Sequence, residues 1–493
     1  MNYRVGTWAA ALMAGLCAAA QAARPAQQAA PVRPNVLFIA VDDLRPSFGA
    51  YGGPIKTPNI DRLAARGTTF MRAYCQQAVC SPSRSSLMTG RRPDATKVWD
   101  LKTHFRTALP NATTIAQHFK ANGYHSEGLS KIFHSGYNDE PSWSVPWWSP
   151  RSGGVEWRDP ATRADVQARR AAARAAGRDA TRERGPAWES HPSPDTDYSD
   201  GKTAEEAIKR LEARKSAPEP FFLAVGFLKP HLPFVAPKKY FDLYNPDEIQ
   251  LSPTDRLPEG APAFTTNNSG ELRSYSDIPK MGPPTTPESA RRLKHAYYAA
   301  ASFMDAQLGK VLDALDRLDL ARNTIVVLWG DHGWQLGEHG LWTKHTNFEI
   351  ATHAPLLFAL PGQVRRGSKA RGLAEFVDVF PTLCTAAGIP VPAGLDGTSL
   401  LPVIQDPSRS VKDYALSQYP RAQAMGYSIR TDRWRYTEWG TAGRELYDEQ
   451  ADPNETRNAA ESPENAELIR ELSEKLHRAY PSSAAPRPDR AAR

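Results

Sequence analysis

The sequence predicts an α/β fold, a sheet of buried strands flanked by helices, with a smaller α+β region at the C-terminal end. Three apolar runs indicate the sheet, because each is continuous instead of alternating, as in parallel strands buried on both faces. These runs lie at 34–41, 220–227 and 324–330. The longest helical pattern between them is 287–318. After residue 405 the pattern changes to two short antiparallel strands and a helix, at 424–430, 433–438 and 462–480.

Local signals along the chain predict the remaining elements. Thr57, Pro58 and Gly67 fit the N-cap, the first turn and the C-cap of a helix. Further strands are expected at 68–74, 124–130 and 354–360, and further helices at 113–122, 202–215 and 376–387. The predicted organisation is a signal peptide, a disordered lead-in, one large domain, an α+β subdomain and a disordered tail, at 1–22, 23–33, 34–405, 406–482 and 483–493.

The first 22 residues have the features of a Sec signal peptide. Arg4 supplies the positive charge, 7–20 is a short apolar run, and Ala20-Gln21-Ala22 fits a cleavage site. The run is too short to span a membrane, and we expect no membrane span elsewhere. Cys17 follows Leu16, which fits a lipoprotein anchor poorly. We therefore expect an exported protein, periplasmic or secreted.

The composition is that of a globular protein with a mild basic bias. Of 493 residues, 41% are hydrophobic and 23% charged, which excludes a disordered chain. The net charge of +7 suits an anionic ligand, and nothing in the sequence points to nucleic acid. An Ala/Arg-rich segment at 163–184 is expected to form a solvated helix, either as a surface insertion or as a grip for a polyanion.

Polar side chains follow the predicted strands, at the edge where open α/β sheets bind ligands. The adjacent acids Asp42 and Asp43 suit a hard cation, although the same pair would also fit a solvated turn after a strand. Lys131 and His134 are three residues apart, so one helical turn would place both on one face. Comparable positions belong to His231, Asp331 and His332, with Lys344 further along.

Cys80, Pro82 and Arg84 open another predicted helix. Backbone N–H groups at a helix N-terminus, together with an arginine, favour an anion there. Taken alone, Cys80 could be a buried thiol, a nucleophile or a site of modification. A hard cation, lysines, histidines and an arginine together form a pocket for a tetrahedral oxyanion, so both phosphoryl and sulfuryl transfer fit.

These residues also resemble a known family. Cys80-x-Pro82-x-Arg84, followed by Thr89-Gly90-Arg91, is similar to the sulfatase signature. The pairs Asp42-Asp43 and Lys131-x-x-His134 and the segment 330–333 accompany it in the expected order, so that the resemblance covers roughly 34–400. It implies an alkaline-phosphatase-like fold with a large mixed sheet flanked by helices. Within the family, the iduronate-2-sulfatase type is most similar. The similarity lies in the segments 229–234, 331–340, 344–345 and 425–431 and in His332, which directly follows Asp331.

The resemblance implies a cofactor set. Asp42, Asp43, Asp331 and His332, with the modified residue 80, would bind one Ca²⁺ ion. Cys80 would be oxidised to formylglycine by a maturation enzyme. Its hydrate would attack sulfur, and its second hydroxyl would then expel sulfate.

The resemblance also implies roles for the other side chains. Arg84 would orient residue 80, with His134 as a base nearby. Lys131, Lys344 and His231 would neutralise the sulfate, and either His231 or Lys344 would protonate the leaving oxygen. Lining roles are expected for Trp334 and His345, and structural roles for Glu338, His339 and His353.

The expected function is removal of the 2-O-sulfate from a terminal uronate of a sulfated glycan by an exported, calcium-dependent sulfatase. Three alternatives stay open from sequence alone. They are a sulfatase for another sulfated polysaccharide, a phosphate or phosphonate ester hydrolase of the same superfamily, and a non-catalytic binder of sulfated glycans in which Cys80 is never converted.

Overall fold

The computed structural model describes residues 1–3, 33–150 and 156–483. The predicted signal peptide beyond its first three residues, most of the lead-in and most of the tail lie outside these residues. The described residues from Arg33 onward form one compact unit, so the large domain and the C-terminal region pack together. Within the described ranges, no helix has both the length and the apolar character needed to cross a membrane.

Fifteen strands and twelve α-helices make up the described chain. The strands are β1 (Asn35–Val41), β2 (Thr68–Phe70), β3 (Ala73–Tyr74), β4 (His125–Ser130), β5 (Trp188–His191), β6 (Phe221–Phe227), β7 (Phe234–Pro237), β8 (Thr324–Gly330), β9 (Leu356–Ala359), β10 (Ser368–Ala370), β11 (Ala374–Glu375), β12 (Ala415–Arg421), β13 (Ala424–Arg430), β14 (Trp434–Glu438) and β15 (Arg444–Asp448). The helices are α1 (Pro58–Arg66), α2 (Cys80–Thr89), α3 (Pro93–Thr96), α4 (Ile115–Ala121), α5 (Pro160–Ala175), α6 (Ser199–Arg214), α7 (Lys238–Phe241), α8 (Pro287–Arg317), α9 (Glu349–Thr352), α10 (Val379–Ala387), α11 (Leu401–Gln405) and α12 (Ala466–Ala479).

A seven-stranded mixed sheet forms the centre of the molecule, in the order β10-β2-β9-β8-β1-β6-β4. Only β9 runs opposite to its neighbours in this sheet. Successive residues of β1 point to opposite faces, so Leu37 joins the apolar core under α6 and α8, and Phe38 joins the core under α4 and α10. This arrangement confirms the predicted large mixed sheet flanked by helices. Because β4, β6, β1 and β8 are parallel neighbours, their carboxyl ends lie side by side at one edge.

The C-terminal region is a four-stranded antiparallel sheet, β12-β13-β14-β15, covered by α12. The sequence predicted β13, β14 and α12 but missed the outer strands, whose polar residues hide the alternation expected of a strand. Buried ion pairs join this sheet to the large domain. Glu349 of α9 binds Arg435 of β14 and also lies 3.0 Å from Nε of Arg430.

The structure departs from the sequence expectation at two places: no helical turn forms at 131–134, and the solvated helix expected at 163–184 is present but ends early. Residues 131–134 form bends and no helix, because the chain turns sharply at Ser130, whose φ is +59°. The Ala/Arg-rich helix ends at Ala175, and Gly177 follows with a left-handed φ of +66°. His134 is therefore brought near Lys131 by a turn, without the helical spacing expected from the sequence.

Asp305 of α8 caps the N-terminus of helix α1, because the N-cap residue of α1 does not. Thr57 makes no side-chain hydrogen bond at the start of α1, and the Asp305 carboxylate accepts instead from the backbone N–H groups of Asn59 (3.1 Å) and Ile60 (2.7 Å). We predict that Asp305→Ala lowers the free energy of unfolding by about 2 kcal/mol, since two backbone donors, one of them buried, lose their acceptor.

Urea unfolding followed by circular dichroism at pH 7.5 measures this loss. Asp313→Ala is the matched control, because Asp313 lies on the same helix in an exposed ion pair with Arg62, and should change stability by less than about 1 kcal/mol. Equal losses in both variants would contradict the capping role.

Candidate active site

The carboxyl ends of β1 and β8 bring the predicted acids together. The backbone N–H of Asp43 donates to Oδ1 of Asp331 at 3.0 Å, which locks the two strand ends to each other. Tyr297 of α8 supports the same loop by donating to the Asp43 carbonyl at 2.7 Å. Asp43 itself has a left-handed φ of +57°, held in place by these bonds. Two overlapping groups have metal-ligating atoms within 4.8 Å of one another, namely Asp43, Cys80, Asp331 and His332, and Asp42, Asp43, Cys80 and His231.

Cys80 is the first residue of α2 and points into this cluster. Its Sγ lies 3.5 Å from Nε2 of His332 and 4.0 Å from Oδ1 of Asp43. Burial and the nearby Asp42 carboxylate raise the pKa of the Cys80 thiol well above its usual value. The group is therefore held as a thiol, which is a poor nucleophile and a poor metal ligand compared with a thiolate.

Arg84, one turn further along α2, is fully buried beneath the acids. Its Nε donates to Asp331 at 2.9 Å, and another guanidinium nitrogen donates to Asp42 at 3.1 Å. A third nitrogen donates to the carbonyl of Ile132 at 3.2 Å, in the turn after β4. One side chain thus ties three strand ends together, and its five fixed N–H groups make it suited to that task.

Two lysines balance the remaining negative charge. Lys131 pairs with Asp42, and its Nζ lies 4.0 Å from Sγ of Cys80. Lys344 lies 3.0 Å from both oxygens of Asp43. Its ammonium group also sits 4.8 Å from the centre of the Trp334 ring. Both lysines are buried, so each ammonium group faces the cluster and not bulk water.

The donor set fits one divalent cation. His332 gives Nδ1–H to the carbonyl of Gly333 at 2.9 Å, and its Nε2 lies 3.3 Å from Asp43. The metal-ligating atoms fall in two overlapping sets, one with Asp43, Asp331 and His332 and one with Asp42, Asp43 and His231, each completed by Cys80. Carboxylate oxygens suit a hard divalent cation, so these residues could hold one, and their role as metal ligands stays a prediction.

His231 follows β6 and is held by an acid that the sequence did not single out. Its Nε2 lies 3.1 Å from Oε1 of Glu271, and Oε2 of the same carboxylate lies 3.0 Å from Nζ of Lys344. Glu271 belongs to the long polar loop region at 245–290, where no motif marks it. The pairing of Glu271 with His231 and Lys344 depends on tertiary packing, so no local sequence pattern predicts it.

His134 lies beside the cluster without joining it. In the part of the chain described, its side chain makes no hydrogen bond, and its Nδ1 is buried without a partner. Burial and the Lys131 charge lower the pKa of His134 to about 4, so the ring is neutral near pH 7. It borders a cleft of about 560 Å³ together with Lys131 and Trp147.

The predicted lining residues behave differently from each other. Trp334 is fully buried in the main apolar core, so it supports Lys344 from behind and does not line an open pocket. Within that core, the centre of its indole ring lies 6.3 Å from the centre of the Phe234 ring. His345 is half-buried, and its ring lies 5.9 Å from Tyr419 of β12. Arg421, also of β12, donates to the carbonyl of His345, so the C-terminal sheet borders the site.

The three residues expected to be structural make contacts away from the cluster. Glu338 pairs with Arg45 at 3.0 Å, and Nε2 of His339 lies 2.9 Å from the carbonyl of Asn454. The ring of His353 packs against Tyr74, with 5.6 Å between the ring centres. Cys75 and Cys384 are both free and buried.

A cluster of acids surrounded by lysines, an arginine and histidines, at the carboxyl edge of a mixed α/β sheet, is typical of hydrolases that act on oxyanion esters. The comparisons with known proteins identify the family to which the chain belongs. The profile of the family described as Sulfatase matches residues 34–389, and one described as N-sulphoglucosamine sulphohydrolase, C-terminal, matches residues 337–481. The chain belongs to the sulfatase family and is a sulfuric ester hydrolase.

Two relatives resemble most of the chain. Iduronate 2-sulfatase of Homo sapiens is 35% identical over 489 residues, covering 82% of this chain and 84% of that protein. A sulfatase of Formosa agariphila is 36% identical over 449 residues, covering 87% of this chain and 83% of that protein.

Two solved structures share the fold. A 2-O GAG sulfatase has a TM-score of 0.69 at 24% identity, covering 92% of this chain and 94% of that one. A phosphonate monoester hydrolase of Agrobacterium radiobacter has a TM-score of 0.72 at 22% identity, covering 91% and 96%. At these identities the likeness concerns the fold alone.

Proposed function

We propose that this protein is an exported, calcium-dependent sulfatase that removes the 2-O-sulfate from a terminal uronate of a sulfated glycan, with formylglycine at position 80. One observation carries the proposal. Cys80 lies among three carboxylates, those of Asp42, Asp43 and Asp331, and 4.0 Å from the ammonium nitrogen of Lys131, which suits a transferred group with several negatively charged oxygens. The basic side chains and the metal ion would together neutralise the negative charge of the sulfate.

Calcium is the ion we propose for the cluster. Asp42, Asp43 and Asp331 supply hard oxygen ligands, and His332 supplies one nitrogen. The bound cation would polarise the sulfate oxygens as a Lewis acid. Arg84 keeps the two inner acids in place from beneath and leaves their other oxygens toward the cluster.

Formylglycine at position 80 would supply a hydrated aldehyde, one hydroxyl as nucleophile and the other to release sulfate. Because Cys80 is only 2% exposed, a maturation enzyme would have to reach it before the domain folds. That enzyme is therefore a transient partner of the unfolded chain. The raised pKa of the Cys80 thiol argues against the unmodified residue as nucleophile.

The chain's own side chains would each perform one task. Lys131 and Lys344, which pair with Asp42 and Asp43 respectively, would hold the sulfate oxygens. His231 would contact the sulfate at the outer side of the site. His134, neutral near pH 7, would accept a proton from the hydroxyl groups of residue 80.

The substrate proposal draws on the relatives. The human relative is named iduronate 2-sulfatase, and one structural neighbour is titled a 2-O GAG sulfatase. Their names favour a sulfated uronate in a glycosaminoglycan. Another sulfated polysaccharide remains an alternative, and the phosphonate hydrolase neighbour makes the reaction class itself worth testing.

We predict that the protein desulfates a uronate 2-O-sulfate disaccharide derived from heparin or dermatan, because that sugar presents the ester the relatives' names describe. Sulfate release is measured by ion chromatography, beside glucosamine 6-O-sulfate and galactose sulfate substrates. Preference for another sulfated sugar would overturn the substrate but keep the enzyme class. Faster cleavage of an aryl phosphonate than of an aryl sulfate would overturn the reaction class.

We predict that residue 80 is formylglycine in active protein, since the buried thiol lacks the nucleophilic oxygen the reaction needs. Peptide mass spectrometry of protein from the native host measures it, and the same spectra should show a mature N-terminus at Ala23. Cys80→Ala should abolish sulfate release. Unmodified Cys80 in protein with full activity would refute the proposal, and an intact Met1 would refute export by the signal peptide.

We predict that Ca²⁺ raises the unfolding temperature and that a chelator lowers it, because a ligand bound to the folded state alone stabilises it. Differential scanning fluorimetry at increasing Ca²⁺ measures the shift. Asp331→Asn should lose most of it, whereas Asp313→Asn, an exposed acid on α8, should retain it. A full shift in Asp331→Asn, or a larger shift with Mg²⁺ than with Ca²⁺, would contradict the assignment.

A further inference from the structure

A groove with an excess of positive charge lies between the large domain and the C-terminal region, outside the candidate active site. Its volume is about 670 Å³, and its cations, which define what we call the basic groove, are Arg72, Lys369, Arg371, Arg409 and Lys412. We propose that the basic groove binds a stretch of a sulfated glycan chain, as a second site apart from the one that holds the ester. The inference extends the proposed function, because it says where the same class of polymer is held, but binding there requires no catalysis.

The basic groove lies at the same edge of the sheet as the candidate active site. Lys369 belongs to β10, and Arg72 and Arg371 follow the carboxyl ends of β2 and β10. Both strands run parallel to β8, because only β9 between them is reversed. Three strand spacings separate β10 from β8, a distance of about 15 Å. The groove is therefore near the active site along this edge, yet the two share no residue.

Three cations of the basic groove have no acid partner. In the part of the chain that the structure describes, the side chains of Lys369, Arg371 and Arg409 form no ion pair and no hydrogen bond, and all three are exposed. A lysine on an outermost strand often serves only to prevent pairing with another chain. Arg409 comes from a separate loop, so that role does not explain why three free cations meet at one groove.

The acids of the groove do not cancel this charge. Asp432 is already paired with Arg72 at 2.6 Å, and Asp413 is paired with Lys475 at 2.6 Å. Five cations and two acids line the groove, which leaves an excess of three positive charges. An anionic ligand would therefore meet free N–H groups here without displacing a carboxylate.

The walls of the groove are held in place by the fold. Nε of Arg72 donates to the carbonyl of Arg371 at 2.6 Å, which joins the chain after β2 to the chain after β10. On the opposite wall, Lys412 pairs with the buried acids Glu375 and Asp378, each at 2.7 Å. The groove thus exists before a ligand arrives, which lowers the entropic cost of binding.

The remaining lining residues favour a sulfated sugar over other polyanions. None of the residues that line the groove is aromatic, so nothing there would stack on nucleobases. Leu373 is only 4% exposed and offers no apolar anchor for a lipid surface. Ser408 and Ser410 bring hydroxyl groups beside the cations, which suits a ligand that carries both sulfates and sugar hydroxyls.

The Ala/Arg-rich segment is the other place where the sequence allows a grip on a polyanion. On α5, Arg169 pairs with Asp165 at 2.8 Å. Just after α5, Arg178 pairs with Glu183 at 3.0 Å. Acids of the same segment balance part of its positive charge, so the basic groove, with three unpaired cations around one concave surface, is the stronger candidate.

The combined variant Lys369→Gln, Arg371→Gln and Arg409→Gln tests the proposal. The probe is a heparin dodecasaccharide without its 2-O-sulfates, which keeps other sulfates but no ester that the proposed activity would cleave. We expect its Kd, measured by isothermal titration calorimetry at about 50 mM salt, to rise about 30-fold, because three charged contacts are lost. The dependence of Kd on salt concentration should also weaken, since binding releases fewer ions.

The matched control removes three exposed cations elsewhere, with Arg163→Gln, Arg174→Gln and Lys215→Gln on α5 and at the end of α6. It lowers the net charge equally, so its Kd should rise less than about 3-fold if the groove binds the chain. Equal losses in both variants, or no loss in the groove variant, would overturn the proposal. Tighter binding of oligothymidylate or of phosphatidylserine vesicles at the same salt would overturn the choice of partner.

Lysine acetylation gives a second measurement, on the unaltered protein. Lys369 should react with N-hydroxysuccinimide acetate in the free protein and be protected by the bound dodecasaccharide, whereas Lys215 should react equally in both states. Equal reaction of Lys369 in both states would overturn the proposal, even where the variant fails to fold. If the dodecasaccharide binds through the groove but the protein releases no sulfate from any ester, the proposed function fails and this inference stands.

Discussion

The contact on which the site depends is the buried pairing of Arg84 with Asp42 and Asp331. Two carboxylates at adjacent strand ends would repel each other in a water-free interior, and unpaired they would carry a large desolvation penalty. The Arg84 guanidinium pairs with both and also reaches the turn after β4. The edge of the sheet is thereby held in one arrangement, and Cys80, one turn earlier on the same helix, is placed with it.

Charge balance organises the rest of the site in layers. The acids of the cluster are paired inward with Arg84 and outward with Lys131 and Lys344. Glu271 then pairs with the outer basic groups, His231 and Lys344. Because Arg84, Lys131 and Lys344 each have a carboxylate partner in the described structure, a bound oxyanion must compete with carboxylates for the N–H groups of the lysines. That competition favours substrates with several strongly accepting oxygens, as in a sulfate ester.

The C-terminal sheet contributes to the site as well as to the fold. Its β12 reaches the rim through Arg421 and Tyr419, next to His345. At its other side, Arg430 and Arg435 are bound by Glu349 in a buried network that fixes the sheet on the large domain. The edge of the substrate opening is therefore set by packing between two parts of the chain that lie far apart in sequence.

The sequence by itself determined the mixed α/β sheet, the acids at its strand ends and the sulfatase signature, because continuous apolar runs and short motifs are local patterns. It suggested one helical turn for Lys131 and His134, which does not form, and a lining position for Trp334, which is buried in the core. Neither the turn at Ser130 nor the depth of the core can be predicted from neighbouring residues. Only the tertiary structure decided that Glu271 faces His231 and Lys344. Such a pairing joins residues 40 and 73 positions apart, and depends on how a loop packs over the sheet edge.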